Sequence, residues 1–381
     1  MKSQKLSLCM IVKNEEKWLA RCLESVKDVV DEIIIVDTGS NDQTKEIALG
    51  MGAMLYDYEW NDHFADARNY GLELASGDWV LWLDADEEVD EAGRDYLRNV
   101  LLTNECYLGR VQMVNYYGST PHDYNRSHLM AQYRLFRNDQ HLRFRGAIHE
   151  QLNIEGLKIT ADSVTVLPVI VHHFGYLDET VQDKEKMNRN LRLLEKERRR
   201  KGYDPWVDYH LASELYRGGK LADSFENVNL SIRRFIETGK KPPSLLYNLK
   251  YTILIGLGSF EGAWPGIDLA IQLYPDYVDL HLYKGIILMR LRQYDKALEA
   301  FNQCLRIKEV NISHLTMVGA GSFYAWYYIG YCYQELGDLV RAEEAYRMTL
   351  ELSPNHLDAQ EALRGMGVAE FTTRVQEENK Y

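Results

Sequence analysis

Three short apolar runs, each breaking off into a polar cluster, constrain the fold of this chain more than any other feature. "LSLCMIV" (Leu6–Val12) runs into "KNEE", "EIIIVD" (Glu32–Asp37) into "TGSNDQT", and "DWVLWLD" (Asp78–Asp84) into "ADEE". The runs are nearly continuous rather than alternating in polarity, which predicts strands buried on both faces. Between them lie segments with helical periodicity: "EEKWLARCLESV", "NDQTKEIALGMG" and a stretch over Phe64–Ala75. Strand–helix–strand alternation of this kind specifies a parallel sheet covered by helices on both sides. After about residue 105 the rhythm changes to shorter alternating strands, "GRVQMVNYY", "AQYRLFR" and "SVTVLPVIVHHF". They predict an antiparallel extension of the same domain.

From about residue 205 the chain becomes helical and repetitive. "AWYYIGYCYQELGDLVRAEEAYRMTLELSP" places Trp326, Gly330, Tyr333, Gly337, Ala342, Tyr346 and Pro354 at the spacings of a 34-residue tetratricopeptide repeat. "GIILMRLRQYDKALEAF" aligns on it, Gly285 with Gly330, Ala297 with Ala342 and Phe301 with Tyr346, at an offset of 45 residues. That offset implies an insertion of roughly 11 residues over the ordinary repeat length. A contiguous repeat before these carries Gly258, Ala263, Ala270 and Pro275 in register, and a weaker one begins near Pro205. Between the halves, Asp183–Lys201 holds nine basic and four acidic residues and an apolar stripe of Met187, Leu191 and Leu194. It reads as a linking helix whose charged face is either solvated or turned toward an anionic ligand. The expected layout is a catalytic domain over 1–180, a linker helix over 181–204, repeats over 205–365 and a tail over 366–381.

A length of 381 residues allows two or three domains with proper cores. The formal charge of −13 argues against a nucleic-acid binder, whose affinity rests on clustered Lys and Arg. It leaves room for a phosphorylated substrate if a metal mediates. Cys9, Cys22, Cys106, Cys304 and Cys332 are scattered, odd in number and without a C-x-x-C pair, the usage of reduced thiols. The first apolar run is cut short by "KNEE" and reads as a strand rather than a signal core, and no run approaches the roughly 20 residues of a membrane span. A cytoplasmic protein without a membrane span is expected.

In an open parallel sheet, ligands bind outside the carboxyl ends of the strands. Three polar clusters at that one edge therefore mark a site. Asp37 can accept hydrogen bonds from a base or a ribose, while Ser40, Asp42 and Thr44 also suit the capping of the next helix. Asp84 and Asp86 are two apart, so in an extended segment both point to one face. Such oxygen ligands suit Mg²⁺ or Mn²⁺, which could bridge to a diphosphate and neutralise it as it departs. Glu87 is placed to touch donor or acceptor, and Glu88 and Asp90 read as a solvated helix start. "DADEEV" lacks the sixth-position glycine of an EF-hand. "VKNEE" likewise is not the glycine-rich basic loop of a nucleotidyltransferase.

The segments "MIVKNEEKWLARCLESV", "IIIVDTGSNDQT", "ADARNYGLELASGDWVLWLDADE" and "RGAIHEQL" resemble glycosyltransferase family 2. More narrowly, they resemble its bacterial branch with C-terminal tetratricopeptide repeats, to which sublancin-type peptide S-glycosyltransferases are related. The likeness covers most of residues 6–176, and the repeats most of the rest. It implies an α/β GT-A domain, Rossmann-like with a mostly parallel sheet, followed by an all-α repeat solenoid. It further implies an inverting transferase that uses a divalent metal, Mn²⁺ or Mg²⁺, to hold a nucleotide-diphosphate sugar, expected to be a uridine one. Donor contacts would come from Val12, Asn14, Glu15, Asp37, Arg68 of the "ARN" segment, Asp84 and Ala85. Metal ligands would be Asp84, Asp86 and His173 of "VHHFGY", taken over His172 because it stands two before the glycine. The blander readings are an Arg68 paired with Asp62 or Asp66 and a His173 buried for structure.

The "ED" aspartate that serves many family members as base, and the "QxxRW" run after it, have no counterpart here. "GAIHEQL" (Gly146–Leu152) occupies that region, making Glu150 the candidate base, with His149 as neighbour or alternative. Glu150 could equally orient a backbone or bind a sugar hydroxyl. The expected partners are a nucleotide-sugar donor and a peptide or protein acceptor guided by the repeats, with no nucleic acid. A purely structural role for the repeats, or a homodimer built on them, fits the same sequence. Two alternatives are transfer to a cell-surface saccharide precursor and a non-catalytic scaffold with a vestigial transferase domain. The intact Asp37, Asp84 and Asp86 argue against the second.

Overall fold

The computed structural model describes residues 4–103, 107–154, 163–178, 184–307 and 310–367. Cys106 and all but the first two residues of the expected C-terminal tail lie outside the described residues. The chain divides into two compact units, residues 1–214 and 215–381.

The first unit opens with β1 (Leu6–Val12), α1 (Leu19–Glu24), β2 (Glu32–Asp37), α2 (Thr44–Gly50), β3 (Met54–Asp57), α3 (Phe64–Leu74) and β4 (Trp79–Trp82). It continues with β5 (Glu87–Val89), α4 (Glu91–Thr103), β6 (Leu108–Gly118), β7 (Ser127–Arg137), β8 (Phe144–Arg145), β9 (Gln151–Leu152) and β10 (Val164–Leu177). The main sheet runs β3-β2-β1-β4-β7-β6-β10-β5. β3, β2, β1 and β4 are mutually parallel. β7 pairs antiparallel with β4 and with β6, β10 runs parallel to β6, and β5 pairs antiparallel with β10. The α/β sheet is thus mixed: the expected parallel half is there, but of the extension only β7 runs antiparallel to its neighbours on both sides, and β10 lies parallel to β6, contrary to the antiparallel extension expected.

The unbroken apolar runs follow from this burial. Leu8, Met10, Ile35, Trp79 and Leu81 pack into one core on one face of the sheet. Cys9, Ile34 and Val80, which alternate with them, pack into another with Phe136 and Phe144. Both faces are covered, so the runs are apolar apart from Ser7, whose buried hydroxyl is met by Glu32. The register pairs Val12 with Asp37 and Asp37 with Asp57, and the strand ends therefore lie level.

Two further helices begin within the 1–214 unit, α5 (Lys184–Arg198) and α6 (Trp206–Arg217). Leu193 and Leu194 of α5 and Leu211 of α6 bury against Ile148, with Leu191, Val207 and Phe64 around them. The cluster takes Leu191 and Leu194 of the expected stripe, adds Leu193 and does not include Met187.

The second unit contains α7 (Leu221–Glu237), α8 (Ser244–Gly256), α9 (Phe260–Ala263), α10 (Ile267–Leu273), α11 (Val278–Arg290) and α12 (Tyr294–Arg306). It ends with α13 (Phe323–Glu335), α14 (Leu339–Leu352) and α15 (Leu357–Gly365). In the pairs α11–α12 and α13–α14, small residues let the helices approach. A Cβ at Gly285 would collide with the Phe301 ring, and one at Gly330 would lie 2.7 Å from the Tyr346 ring. The repeat before them departs from the pattern: its second helix is split into α9 and α10 at Pro265, which has no N–H to continue a helix. Residues 311–317, in the insertion between the last two repeats, lie against α8 and the start of α11. The Tyr277 hydroxyl donates to the Leu315 carbonyl, and the Met317 N–H donates to the Asp279 carboxylate at 3.0 Å. His314 Nδ1 lies 2.8 Å from Ser244 Oγ. Cys9, Cys22, Cys304 and Cys332 are free and buried. Among the described residues, no helix is long and apolar enough to cross a membrane.

Candidate active site

Two loops at the carboxyl edge of the parallel strands are stitched together by side chain–backbone hydrogen bonds. The N–H groups of Asn14, Glu15 and Glu16 donate to Ser40 Oγ, Thr44 Oγ1 and Asp42 Oδ2 at 2.9, 2.7 and 3.2 Å. In return, Asn41 N–H and Gln43 N–H donate to Asn14 Oδ1 and Glu16 Oε2 at 2.9 and 3.1 Å. Asn14 takes a left-handed φ of 56° to make this turn. Ser40, Asp42 and Thr44 therefore serve the facing loop, and Asp42 also meets the start of α2, accepting from the N–H and hydroxyl of Thr44.

Asp37 is fully buried where β2 ends. Its Oδ1 accepts from the N–H groups of Gly39 and Ser40, both at 2.9 Å, and lies 3.5 Å from Lys45 Nζ. Its Oδ2 is buried without a hydrogen-bond partner. An unmet buried carboxylate oxygen is costly, and a ligand donor is the simplest way to satisfy it. Val12, expected among the donor contacts, is placed differently. Its side chain is buried in the core, and its carbonyl already accepts from the N–H and the hydroxyl of Thr38. It supports the register of Asp37 instead. The Glu15 carboxyl is pushed up to about 8 by burial and then by the nearby Asp86, with Lys186 of α5 opposing.

The acidic stretch after β4 is a turn, not the extended segment expected: Glu87 N–H donates to the Asp84 carbonyl at 3.1 Å. Its two aspartates consequently diverge. Asp84 accepts from Arg68 Nη2 at 2.7 Å and lies 3.8 Å from Arg134 Nη2. Burial opposes ionisation there, but Arg68 and then Arg134 hold the Asp84 carboxyl well below the usual range. Ala85 is buried in the core between the two aspartates. Glu87 is also buried and is gripped by both Nε and Nη2 of Arg134, which removes it from contact with donor or acceptor. Glu88 lies on β5, paired with Arg21, rather than at a helix start. Asp90 does start α4, accepting from Gly93 N–H at 3.1 Å.

Asp86 meets His173 instead of Asp84. The Phe174 N–H donates to the Asp86 carbonyl at 3.0 Å, which locks the turn onto β10. Asp86 Oδ2 then lies 3.6 Å from His173 Nε2, both side chains being 15% exposed. His173 Nδ1 is 2.9 Å from Asn115 Oδ1, which fixes the ring. Burial alone would push the His173 imidazole down; Asp86, followed by Glu87 and Asp84, lifts it above its ordinary value. His172 turns away to the Tyr116 hydroxyl at 2.9 Å. Among the described residues no group of three or more His, Cys, Asp or Glu is arranged to hold a metal ion. The Asp86–His173 pair nevertheless offers an ion one carboxylate oxygen and one imidazole nitrogen, on the side where Gly175 carries no side chain. A Cβ there would lie 2.6 Å from His173 Nε2 and closer still to Asp86 Oδ2. Mg²⁺ and Mn²⁺ commonly take only one or two protein ligands and complete their shell with substrate phosphate and water.

Arg68 projects from α3 and is 8% exposed. Its guanidinium lies 4.3 Å from the centre of the Trp82 ring, and that of Arg134 lies 3.8 Å from the same centre. Besides Asp84, Arg68 binds Glu150 through Nε, rather than Asp62 or Asp66. Asp62 instead receives both Nη groups of Arg192, at 2.6 and 2.8 Å. Glu150 is 9% exposed and held in this ion pair. Gly146–Glu150 is the tip of the β8–β9 hairpin, with left-handed φ values of 104° at Gly146 and 52° at His149. His149 is 29% exposed, stacks on His210 with ring centres 3.9 Å apart, and places Nε2 3.9 Å from Glu214.

Four contributors escape a reading by motif. Asn69 brackets β8, donating to the Phe144 carbonyl at 3.0 Å and accepting its N–H at 2.8 Å. It stands beside Arg68 in "ARN", where it carries no charge to attract attention. Arg134 and Asn115 stand among other polar residues of alternating strands, so nothing in the pattern singles them out. Gly175 was visible only as part of "H-x-G-Y".

Residues 7–152 match the family model for glycosyl transferase family 2, and residues 278–309 and 323–356 match tetratricopeptide-repeat models. A TPR repeat-containing protein of Synechococcus elongatus is 34% identical over 280 residues, 71% of this chain and 64% of that protein. The SPbeta prophage-derived glycosyltransferase SunS of Bacillus subtilis is 26% identical over 284 residues, 74% of this chain and 66% of that protein. The chain thus spans just under two thirds of the length of these curated relatives. Among solved structures, glucosyl-3-phosphoglycerate synthase of Mycobacterium tuberculosis, crystallised with Mn²⁺, uridine diphosphate and phosphoglyceric acid, is 24% identical. That likeness covers 29% of this chain and 43% of that one, with a TM-score of 0.26. Residues 7–152 are therefore a glycosyltransferase family 2 domain, followed along the chain by tetratricopeptide repeats.

Proposed function

We propose that the protein transfers a sugar, with inversion, from a uridine-diphosphate donor to a peptide or protein side chain in the cytoplasm. The observation that carries this reading is Asp37, whose buried Oδ2 awaits a hydrogen-bond donor at the strand edge where ligands bind. A nucleoside offers such a donor on its base and its ribose. Asp84, held ionised by two arginines, adds an acceptor nearby, and Arg68 supplies positive charge for the diphosphate. Asp86 and His173 are the residues that would hold a divalent cation, which neutralises charge on the departing diphosphate. Inversion requires a group that takes the acceptor's proton as it attacks. With Glu150 engaged by Arg68, we assign that role to His149 of the same turn. The repeats, and the resemblance to peptide S-glycosyltransferases, favour a peptide acceptor over a saccharide precursor.

The test is donor profiling by calorimetry and mass spectrometry with Mn²⁺ present, followed by turnover on candidate peptides. A uridine-diphosphate sugar should bind and be consumed. If no nucleotide sugar binds or hydrolyses with any divalent metal, the reading is wrong.

A further inference from the structure

The family match ends at residue 152, but the packing around the β8–β9 turn does not. On one side, α3 holds the turn through Asn69 and through the Phe64 N–H, which donates to the Ala147 carbonyl at 2.9 Å. On the other side stand α5 and the first turns of α6. Ile148 sits in the cluster formed by Leu193, Leu194 and Leu211. Arg192 fixes Asp62, whose own φ of 62° shapes the entry to α3. His149 lies flat on His210, ring planes 10° apart, with the buried Glu214 3.9 Å from its Nε2. Glu214 is held in turn by Asn190 of α5, whose Nδ2 donates to Oε1 at 3.2 Å.

We propose that His210 and Glu214 are positioning residues of the active site: they hold His149, and with it the left-handed turn that delivers Glu150 to Arg68. A non-glycine residue at positive φ is held there only when its surroundings over-determine it. The ring stack, the carboxylate behind the imidazole and the buried Ile148 are those surroundings. Glu214, 3.9 Å from His149 Nε2, lies beyond hydrogen-bond distance and acts on the imidazole through its charge and packing. The catalytic unit consequently extends to residue 214, well past the segment that the family match covers. This inference rests on the transferase reading for its kinetic consequence, but not for its structural one.

Two measurements on the full chain decide it. In the free protein, His210→Ala should accelerate amide hydrogen exchange at residues 146–150 by about tenfold or more, with Tm changed by no more than a few degrees. Unchanged exchange in the turn overturns the proposal whether or not any sugar is transferred. In the kinetic arm, His210→Ala and Glu214→Gln should lower kcat by about 10- to 100-fold with donor KM within about threefold, the scale of a misplaced catalytic group. His210→Phe, which keeps the stack, should recover most of the loss. Unchanged kcat, or a loss that His210→Phe leaves untouched, overturns it too. A wild-type chain inert toward every nucleotide sugar would instead refute the transferase reading and leave the exchange measurement to judge the positioning.

Discussion

Replacing Gly175 with alanine tests the proposed metal site with a single methyl group. Gly175 lies outside the left-handed region, so alanine meets no backbone penalty there. The obstacle is space. The added Cβ would stand 2.6 Å from His173 Nε2, and nearer to Asp86 Oδ2, where such atoms rest at roughly 3.5 Å. Each side chain must retreat by about 1 Å. The His173 ring is tied to Asn115, whereas the Phe174 N–H holds the Asp86 backbone carbonyl and leaves the carboxylate to swing away. Overpacking of this kind costs about 1–3 kcal/mol of stability, so the fold should survive with a modestly lower Tm. Displacing two ligands that the remaining shell cannot replace should weaken metal-dependent binding by about 10- to 100-fold. The assay is calorimetric titration of uridine diphosphate at graded Mn²⁺. The expected result is a shifted Mn²⁺ requirement with metal-free nucleotide binding unaltered. A variant with the wild-type Mn²⁺ requirement would show that the Asp86–His173 pair is not where the cation binds.

Three further outcomes are expected. Asp37→Asn keeps the acceptor for Gly39 and Ser40 but replaces Oδ2 with a donor; uridine diphosphate binding should weaken by about 1–3 kcal/mol, and calorimetry showing wild-type affinity would remove Asp37 from the nucleotide site. Arg134→Met strands the buried Glu87 carboxylate and should cost about 3–5 kcal/mol in denaturant unfolding of the first unit, whereas a loss below about 1 kcal/mol would contradict the buried pair. In the repeats, burial pushes the Asp279 carboxyl from 3.8 up to about 8. A raised folded-state value gives stability that is complete below about pH 4 and is lost as pH rises through about 8. Asp279→Asn should therefore flatten the fall in Tm of the repeat unit between pH 5 and 8.5, and an unchanged slope would rule Asp279 out as its source.

The strands and the site edge were legible because burial on both faces writes itself as unbroken apolar sequence. "EIIIVD" contains both the strand and the residue that ends it at the ligand edge. The alternation of Gly and Ala in the last two repeats was equally direct, since close helix approach tolerates little else. What escaped depended on contacts across long sequence separations. Whether "DADEE" is extended or turned is decided by β10, 80-odd residues on, where Phe174 captures the Asp86 carbonyl. That single bond sends Asp86 to His173 and leaves Asp84 to Arg68. Glu150 read as an open carboxylate because Arg68, 82 positions away, leaves no local trace beside it. Pro265 was readable as a helix breaker, but the in-register Ala263 and Ala270 on either side hid the break.

The segment at 311–317 has a consequence for what the repeats can bind. Its backbone is read by Tyr277 and Asp279 much as an extended peptide would be, a carbonyl taken by a hydroxyl and an N–H by a carboxylate. Any partner that used those same groups would have to displace a competitor tethered to the protein itself, present at an effective concentration on the millimolar scale. Micromolar amounts of a weak ligand cannot win that exchange. A free peptide would reach these residues only by binding far more tightly than the chain binds itself, so the insertion sets a threshold of affinity as well as filling space.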